Sequence, residues 1–427
     1  MKLLIIGLAF CGLLVGGVSV LAAEGNAPVK QAGKSPVKVF ILAGQSNMEG
    51  YGAIGAPDMK GIYPYCLLGE AINPETRPMF AAIIDRMLPE ADGVTIPMDG
   101  HLIHWMNKDP APNQYKTLRL EVRVKGETRL FTQRDAGEAI RITGSPKEVE
   151  VLSAQFGILD DPAKVMDVRP AIEAHVNCAR QPQPVWKTFD DVWVYFHTPR
   201  GSLTVGQGAG QGCFGPELGF GVVTGGALEQ QVLIIKTAWG GMSLNGPFRP
   251  PGTNNGTGGQ AYQDMVREIR QCLDNLSKDF PSYDGKGYEL GGFVWWHGWN
   301  DGCEGEAAVK AYEANLTYLI KDLRKNLAAP KLPVVITGFT GPTVEGGGVW
   351  SEIRQAQANV ADPAKHPEFK GTVVFVPTHS FVRPPDKSPG GWPCHEYNNP
   401  ETYYLVGKAS GEAMVKLLNA ESSGSAP

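Results

Sequence analysis

Val37 to Asn47 reads VKVFILAGQSN, and the fold is decided there. Val37, Val39, Phe40, Ile41, Leu42 and Ala43 form a near-continuous apolar run, the pattern of a central parallel strand buried on both faces. Gly44 breaks the run, and Gln45-Ser46-Asn47 follow at once. A serine just past the carboxyl end of a first parallel strand stands where open α/β sheets place their chemistry. Gly44 allows a tight turn that lifts a side chain clear of the sheet. Taken alone, the stretch also reads as a strand that ends in a polar turn.

Outward from this strand, the bulk properties narrow the classes. At 427 residues, core size is no limitation. Residues 1–23 read as a signal peptide: Lys2 is the only charge, an apolar stretch runs to Leu21, and Ala22-Ala23 close it. The mature chain is thus expected to be secreted or periplasmic, with no membrane association after cleavage. Losing Lys2 takes the formal charge from −5 to −6, and there is no basic cluster, so nucleic acid and anionic lipid are not expected partners. Cys66, Cys178, Cys213, Cys272, Cys303 and Cys394 remain after export, where disulfides are allowed. No CxxC or Cys/His spacing suits a metal, and neither a metal nor an organic cofactor is expected.

From Asp190 onward strands and helices alternate. Asp191 to Phe196, Val232 to Lys236, Gly292 to Trp296, Leu332 to Thr337 and Thr372 to Val376 read as strands. Between them, helices are expected from Pro216 to about Gln230, over Tyr262 to Leu276, over Glu306 to Leu327 and around Trp350 to Val360, with a last one from Pro400 to Leu418. Gly201 to Gly215 reads as a glycine-rich loop. This order implies parallel pairing through right-handed crossovers and a three-layer α/β/α sandwich of about five or six strands. The exception is the stretch from 51 to 184, too long for one crossover. Leu118 to Val124, Thr128 to Phe131, Ala139 to Ile142 and Glu148 to Leu152 read as short strands, so a β-rich insertion near the mouth of the site is expected there. The end of the chain, AESSGSAP, reads as a disordered tail.

Four segments follow strands and should converge on one edge of the sheet. The first is Gly44 to Asn47. The second is Thr237-Ala238-Trp239-Gly240-Gly241-Met242-Ser243-Leu244, whose paired glycines let backbone N–H groups approach a substrate oxygen. The third is His297-Gly298-Trp299-Asn300-Asp301-Gly302, where an Asn amide can donate to a developing oxyanion. The fourth is Pro393-Cys394-His395-Glu396-Tyr397-Asn398-Asn399. A serine nucleophile needs a base within hydrogen-bond reach, and His395 is the best placed histidine, ahead of His297 and His379. Trp239, Trp299 and Trp392 lie beside these segments and suit stacking on sugar faces, as do Trp295 and Trp296 if either leaves the core.

GQSNM, AWGG-Met-Ser, GWND and a late His before a helix together resemble the SGNH hydrolase superfamily, in particular its sialate O-acetylesterase-like branch, which includes the acetylxylan esterases of carbohydrate esterase family six. FRPP (Phe248 to Pro251) and NPETYYLVGKASGEAM (Asn399 to Met414) add to the likeness. It spans Val37 to Met48 and about Asp190 to Leu418, but not the insertion. The resemblance implies a flavodoxin-like α/β domain over 24–50 and 185–418, interrupted by an insertion over 51–184 and ending in a tail over 419–427. It implies that Ser46 is the nucleophile and His395 the general base. The oxyanion donors would be the Ser46 N–H, the Gly241 N–H and Asn300. Gln45, Gly240, Trp239, His297, Trp299, Asp301 and Trp392 would shape the turn or meet substrate. The substrate would be an O-acetylated carbohydrate, with xylan ahead of sialic acid.

Two positions depart from the pattern. Trp392 stands where the superfamily often has the Asp that precedes the catalytic His, so Asp386 is the candidate third residue. Asp301, Glu396, or a Ser–His dyad oriented by a backbone carbonyl are the alternatives. Related esterases commonly have Gln where His297 stands. Cys303 and Cys394 flank the third and fourth segments, and a disulfide between them would tie the two loops together. Other readings are an esterase for sialic acid or another small acyl ester, and a secreted carbohydrate-binding protein with a decayed site. A nucleotide site at Gly206 to Gly215 is disfavoured, because the glycines lack phosphate-loop spacing and no lysine follows.

Overall fold

A computed structural model describes residues 36–53, 81–96, 98, 109–181, 183–210, 213–341, 348–388 and 393–422. The expected signal peptide and Trp392 lie outside the described residues.

The first strand, β1 (Val37–Gly44), runs through the middle of a seven-stranded sheet. An inserted region carries β2 (Thr117–Val124), β3 (Glu127–Arg134), β4 (Val149–Gly157), β5 (Val165–Asp167) and a helix over Arg169–Ala179. The main sheet resumes with β6 (Phe189–Phe196), β7 (Thr198–Leu203), β8 (Val232–Ala238), β9 (Tyr288–Trp296), β10 (Val334–Thr337) and β11 (Val373–Val376). Its order is β7-β6-β8-β1-β9-β10-β11. All pairings are parallel except β6 with β7.

The alternation within β1 explains the three layers. Val37, Val39, Ile41 and Ala43 point to one face and Phe40 and Leu42 to the other, all fully buried. Helices cover both faces. Besides α1 (Ser46–Glu49) and α2 (the inserted Arg169–Ala179 helix), these are α3 (Pro216–Ala227), α4 (Gln260–Asp274), α5 (Trp299–Glu304), α6 (Glu306–Asn326), α7 (Val349–Ala361) and α8 (Pro400–Ser422). Tyr262, Met265 and Ile269 of α4, Tyr312 and Leu316 of α6, and Ile353 of α7 meet the first face. Leu218 and Phe220 of α3, with Tyr403, Val406 and Met414 of α8, meet the second. Each such side chain stabilises the fold by about 1.5–3 kcal/mol relative to leaving it in water.

The inserted region packs separately. Leu118, Leu120, Val122 and Val124 of β2 join Val149, Phe156, Ile172 and Val176 in a third apolar cluster, distinct from the two that flank the main sheet. The β-rich character follows from strict alternation: Leu118, Leu120, Val122 and Val124 are buried, while Arg119 and Arg123 are exposed.

Two expectations are corrected. β7 occupies Thr198 to Leu203, the start of the expected glycine-rich stretch. Pro199 and Gly201 read as breakers, yet an antiparallel edge strand tolerates both, since one of its sides donates no ladder bonds. The last helix continues to Ser422, into the expected disordered tail, because nothing in Ala420-Glu421-Ser422 stops a helix already underway.

Candidate active site

The carboxyl ends of β6, β8, β1 and β9 lie side by side, and the four expected loops follow from them or fold over them. At the end of β1 only glycine fits. A Cβ on Gly44 would stand 2.1 Å from the Trp296 carbonyl oxygen of β9. Gln45 is extended, and Ser46 opens the single-turn helix α1 with 7% of its surface exposed. The far end of α1 is held by a lysine in the middle of β8. The ammonium of Lys236, fully buried, donates to the Glu49 carbonyl (2.8 Å), the Gln207 carbonyl (3.0 Å) and Glu217 Oε2 (2.9 Å). All three of its donors are thereby used, the condition under which a buried cation is tolerated.

On one side of Ser46, the Gln45 side chain aims an amide. Its Nε2 donates to Asn300 Oδ1 at 2.8 Å, while its Oε1 accepts from the Gly298 and Asn300 N–H groups at 3.3 and 3.4 Å. With Oδ1 so held, the Nδ2 group of Asn300 is turned away from Gln45 and left to donate elsewhere. Gly241, exposed and at φ +73, makes the left-handed turn that glycine allows at little cost. Gly240 was expected at the substrate, but its N–H already donates to Glu49 Oε1 at 3.0 Å.

His297 and Asp301 were also expected to meet substrate, and the structure corrects both. His297 is 1% exposed, its Nε2 bonded to the Met242 carbonyl at 2.8 Å and its Nδ1 to the Tyr312 hydroxyl at 3.2 Å. Burial pushes its pKa down to about 4, so the ring is neutral and its Nε2–H donates. Asp301 is fully buried and accepts from the Leu244 and Asn245 N–H groups at 2.8 and 2.9 Å. Burial raises its pKa to about 7, against the pull of those two bonds. Both residues fasten the Trp239–Leu244 loop from behind. A loop motif reveals which residues are polar, not which way they face.

The His395 turn is built on strained backbone. Glu396, Tyr397 and Asn398 follow it at φ 50, 52 and 58. Each left-handed non-glycine residue costs about 1–2 kcal/mol. The offsetting bonds come mainly from the Ser46 turn and the residues just after it. Asn47 Nδ2 donates to Glu396 Oε1 at 3.1 Å, and the Thr340 hydroxyl donates to the same oxygen. Asn398 Nδ2 donates to the Tyr51 carbonyl at 3.0 Å. The Tyr403 hydroxyl sits between Asn47 Oδ1 (2.8 Å) and the His395 carbonyl (3.2 Å). The residues beside Ser46 thus grip the residues beside His395.

The imidazole of His395 lies flat on the Tyr51 ring, with centroids 4.0 Å apart and planes 7° from parallel. Tyr51 in turn is hydrogen-bonded to the Glu49 carboxylate, which also holds the Gly240 N–H. Glu49 and Tyr51 therefore link His395, helix α1 and the glycine loop. Sequence reasoning missed them, although they stand three and five residues after Ser46. Asp386, expected as the third residue, is exposed on the short turn Pro385–Lys387. Burial pushes the pKa of His395 down to about 4. A triad acid on the ring would act in the opposite sense. Glu396 is fully buried and raised to about 8 by burial, and its bonds go to Asn47 and Thr340. Among the described residues, no carboxylate hydrogen-bonds the His395 ring.

A general base works in its neutral form, so a lowered pKa extends the active range toward acid. With His395 at about 4, the acid limb of kcat/KM for an acetyl ester is expected near pH 4 rather than near the ordinary imidazole value of 6.5. A pH–rate profile reads this directly, and a limb near 6.5 would place the ring in water.

Of the aromatic residues, Trp295 and Trp296 are in the core, and Trp299 stacks on Trp350 with centroids 5.0 Å apart. Trp239 stays partly exposed beside Gly240. Cys303 and Cys394 are free thiols, which corrects the expected disulfide between them.

Residues 171–372 match a family model described as carbohydrate esterase, sialic acid-specific acetylesterase. No curated protein has a sequence significantly similar to this chain. Among solved structures, a protein of Arabidopsis thaliana is 18% identical, over 55% of this chain and 87% of its own, with a TM-score of 0.39. A carbohydrate acetylesterase from Xanthomonas citri is 10% identical over 69% of each chain, with a TM-score of 0.34. A family two carbohydrate esterase from Cellvibrio japonicus is 9% identical, over 79% of this chain and 95% of its own, with a TM-score of 0.31. These are distant likenesses. Over residues 171–372, on the sheet and loops described above, the chain is thus similar to the sialic acid-specific acetylesterases among the carbohydrate esterases, and it is a carboxylic ester hydrolase.

Proposed function

We propose that the chain is an exported serine esterase that removes acetyl groups from carbohydrate through a Ser46–His395 pair. The observation that carries this reading is the interlock of the two turns: Asn47 bonded to Glu396, and Tyr51 stacked on His395. The family match ends before His395 and begins after Ser46, so the assignment of these two rests on their geometry and on the sequence motifs.

In this reading His395 takes the Ser46 proton as the hydroxyl attacks the acetyl carbonyl. The Ser46 and Gly241 N–H groups and the Asn300 amide receive the oxyanion. The protonated imidazole then passes its proton to the departing sugar oxygen, and water, activated by the same ring, releases acetate. The Tyr51 ring and the left-handed turn take over the orienting task of a triad acid. The absence of a basic cluster and the net charge of −5 favour a neutral acetylated glycan, such as xylan, over an anionic sialoside.

Acetate release across 4-nitrophenyl acetate, acetylated xylan and O-acetylated sialosides tests this. Release from the chromogenic ester and from xylan is expected to exceed release from sialosides. No acetate from any of them would end the esterase reading of this site. Export is tested by the mass of the mature N-terminus, expected to begin near Glu24.

A further inference from the structure

The end of β6 belongs to the same rim. β6 lies next to β8, which lies next to β1, so the residue after β6 stands two strands from Ser46, about 10 Å at the usual strand spacing. That residue is His197, the single residue between β6 and β7. It is held at φ +57, a conformation that Asn or Gly would adopt more cheaply. Strain kept at such a place points to a role for the side chain itself.

The imidazole is aimed. Its Nδ1 lies 3.1 Å from both carboxylate oxygens of Glu268 on α4, which fixes the tautomer and turns Nε2 the other way. Unlike His297, it is not sealed in: 34% of the His197 side chain is exposed. Its ring sits 5.3 Å from that of Trp239, the partly exposed tryptophan that precedes Gly240. The imidazole is also within electrostatic reach of Glu49, which holds the Gly240 N–H. An aromatic face, an aimed hydrogen-bonding nitrogen and the oxyanion loop therefore occur in sequence along one edge.

We propose that His197, oriented by Glu268 and paired with Trp239, forms the subsite for the sugar ring that carries the scissile acetyl group. The ring packs on Trp239 while one of its hydroxyls hydrogen-bonds His197 Nε2. Hydroxyls both donate and accept, so either protonation state of the imidazole can hold one. This assignment rests on the carbohydrate esterase reading above and names what that reading leaves open, the contacts that recognise sugar rather than acetyl.

The test compares acetylated xylo-oligosaccharides with 4-nitrophenyl acetate, which has no sugar to bind. His197→Gly keeps the positive φ without strain, so the hairpin is preserved. The ratio of kcat/KM for the oligosaccharide to that for the chromogenic ester is expected to fall about tenfold, mainly through KM, the effect of one lost hydrogen bond. Glu268→Gln can still accept from Nδ1 and is expected to lower the ratio less. An unchanged ratio in His197→Gly overturns the subsite. So does an equal loss on both substrates, which would make His197 part of the shared scaffold. Failure of the underlying esterase reading is visible separately, as a wild-type protein inert toward both esters.

Discussion

Replacing His395 with alanine is expected to lower kcat/KM for 4-nitrophenyl acetate by about ten-thousandfold, and adding Ser46→Ala is expected to lower it little further. In the proposed mechanism the two groups act in one proton-transfer step, so removing either disables the other. The fold should survive, because the His395 turn is held by Glu396, Asn398 and the main chain rather than by the imidazole. Steady-state kinetics of both single variants and the double variant read the coupling. Losses that multiply would mean that the two residues serve separate steps, contrary to the mechanism drawn from the interlocked turns.

The second large effect is expected at Asn300. Asn300→Ala should cost about 10²–10³ in kcat, the usual loss for one oxyanion donor. KM should change little, since in the proposed mechanism the amide serves charge that develops only in the transition state. Asn300→Asp should cost more still. Its Oδ1 can go on accepting from Gln45 Nε2, but the second oxygen then presents a negative charge where the oxyanion forms. An Asp variant as active as wild type would remove Asn300 from the oxyanion site and leave it a scaffold residue.

The elements most legible in the sequence were those whose burial is written in periodicity. VKVFILAG and VLIIK are buried on both sides and could be little else than central strands. The alternation of LRLEVRV carried the inserted sheet just as clearly. The edge strand β7 was illegible because Pro199 and Gly201 are allowed there for reasons of position in the sheet, not of local propensity.

The site divided along the same line. Local motif spacing led to the Ser46 turn, the glycine loop, Asn300 and the His395 turn. It did not show that His297 and Asp301 face inward, since their bonds to Met242, Leu244 and Asn245 join segments over fifty residues apart. Nor could it show that Tyr51 lies under His395, 344 positions later. Asp386 is near His395 along the chain, yet the structure leaves it exposed on a turn, and the imidazole stacks on Tyr51 instead. His197, proposed above as a sugar contact, belongs to no motif, and only the strand order puts it two strands from Ser46.

A covalent probe decides whether Ser46 is the nucleophile. After incubation with an aryl fluorophosphonate, peptide mass mapping is expected to find one adduct, on the peptide that carries Ser46, formed in step with loss of activity and far more slowly in His395→Ala. An enzyme that still hydrolyses acetyl esters with Ser46 unlabelled, or that is inactivated by an adduct elsewhere, would contradict the account.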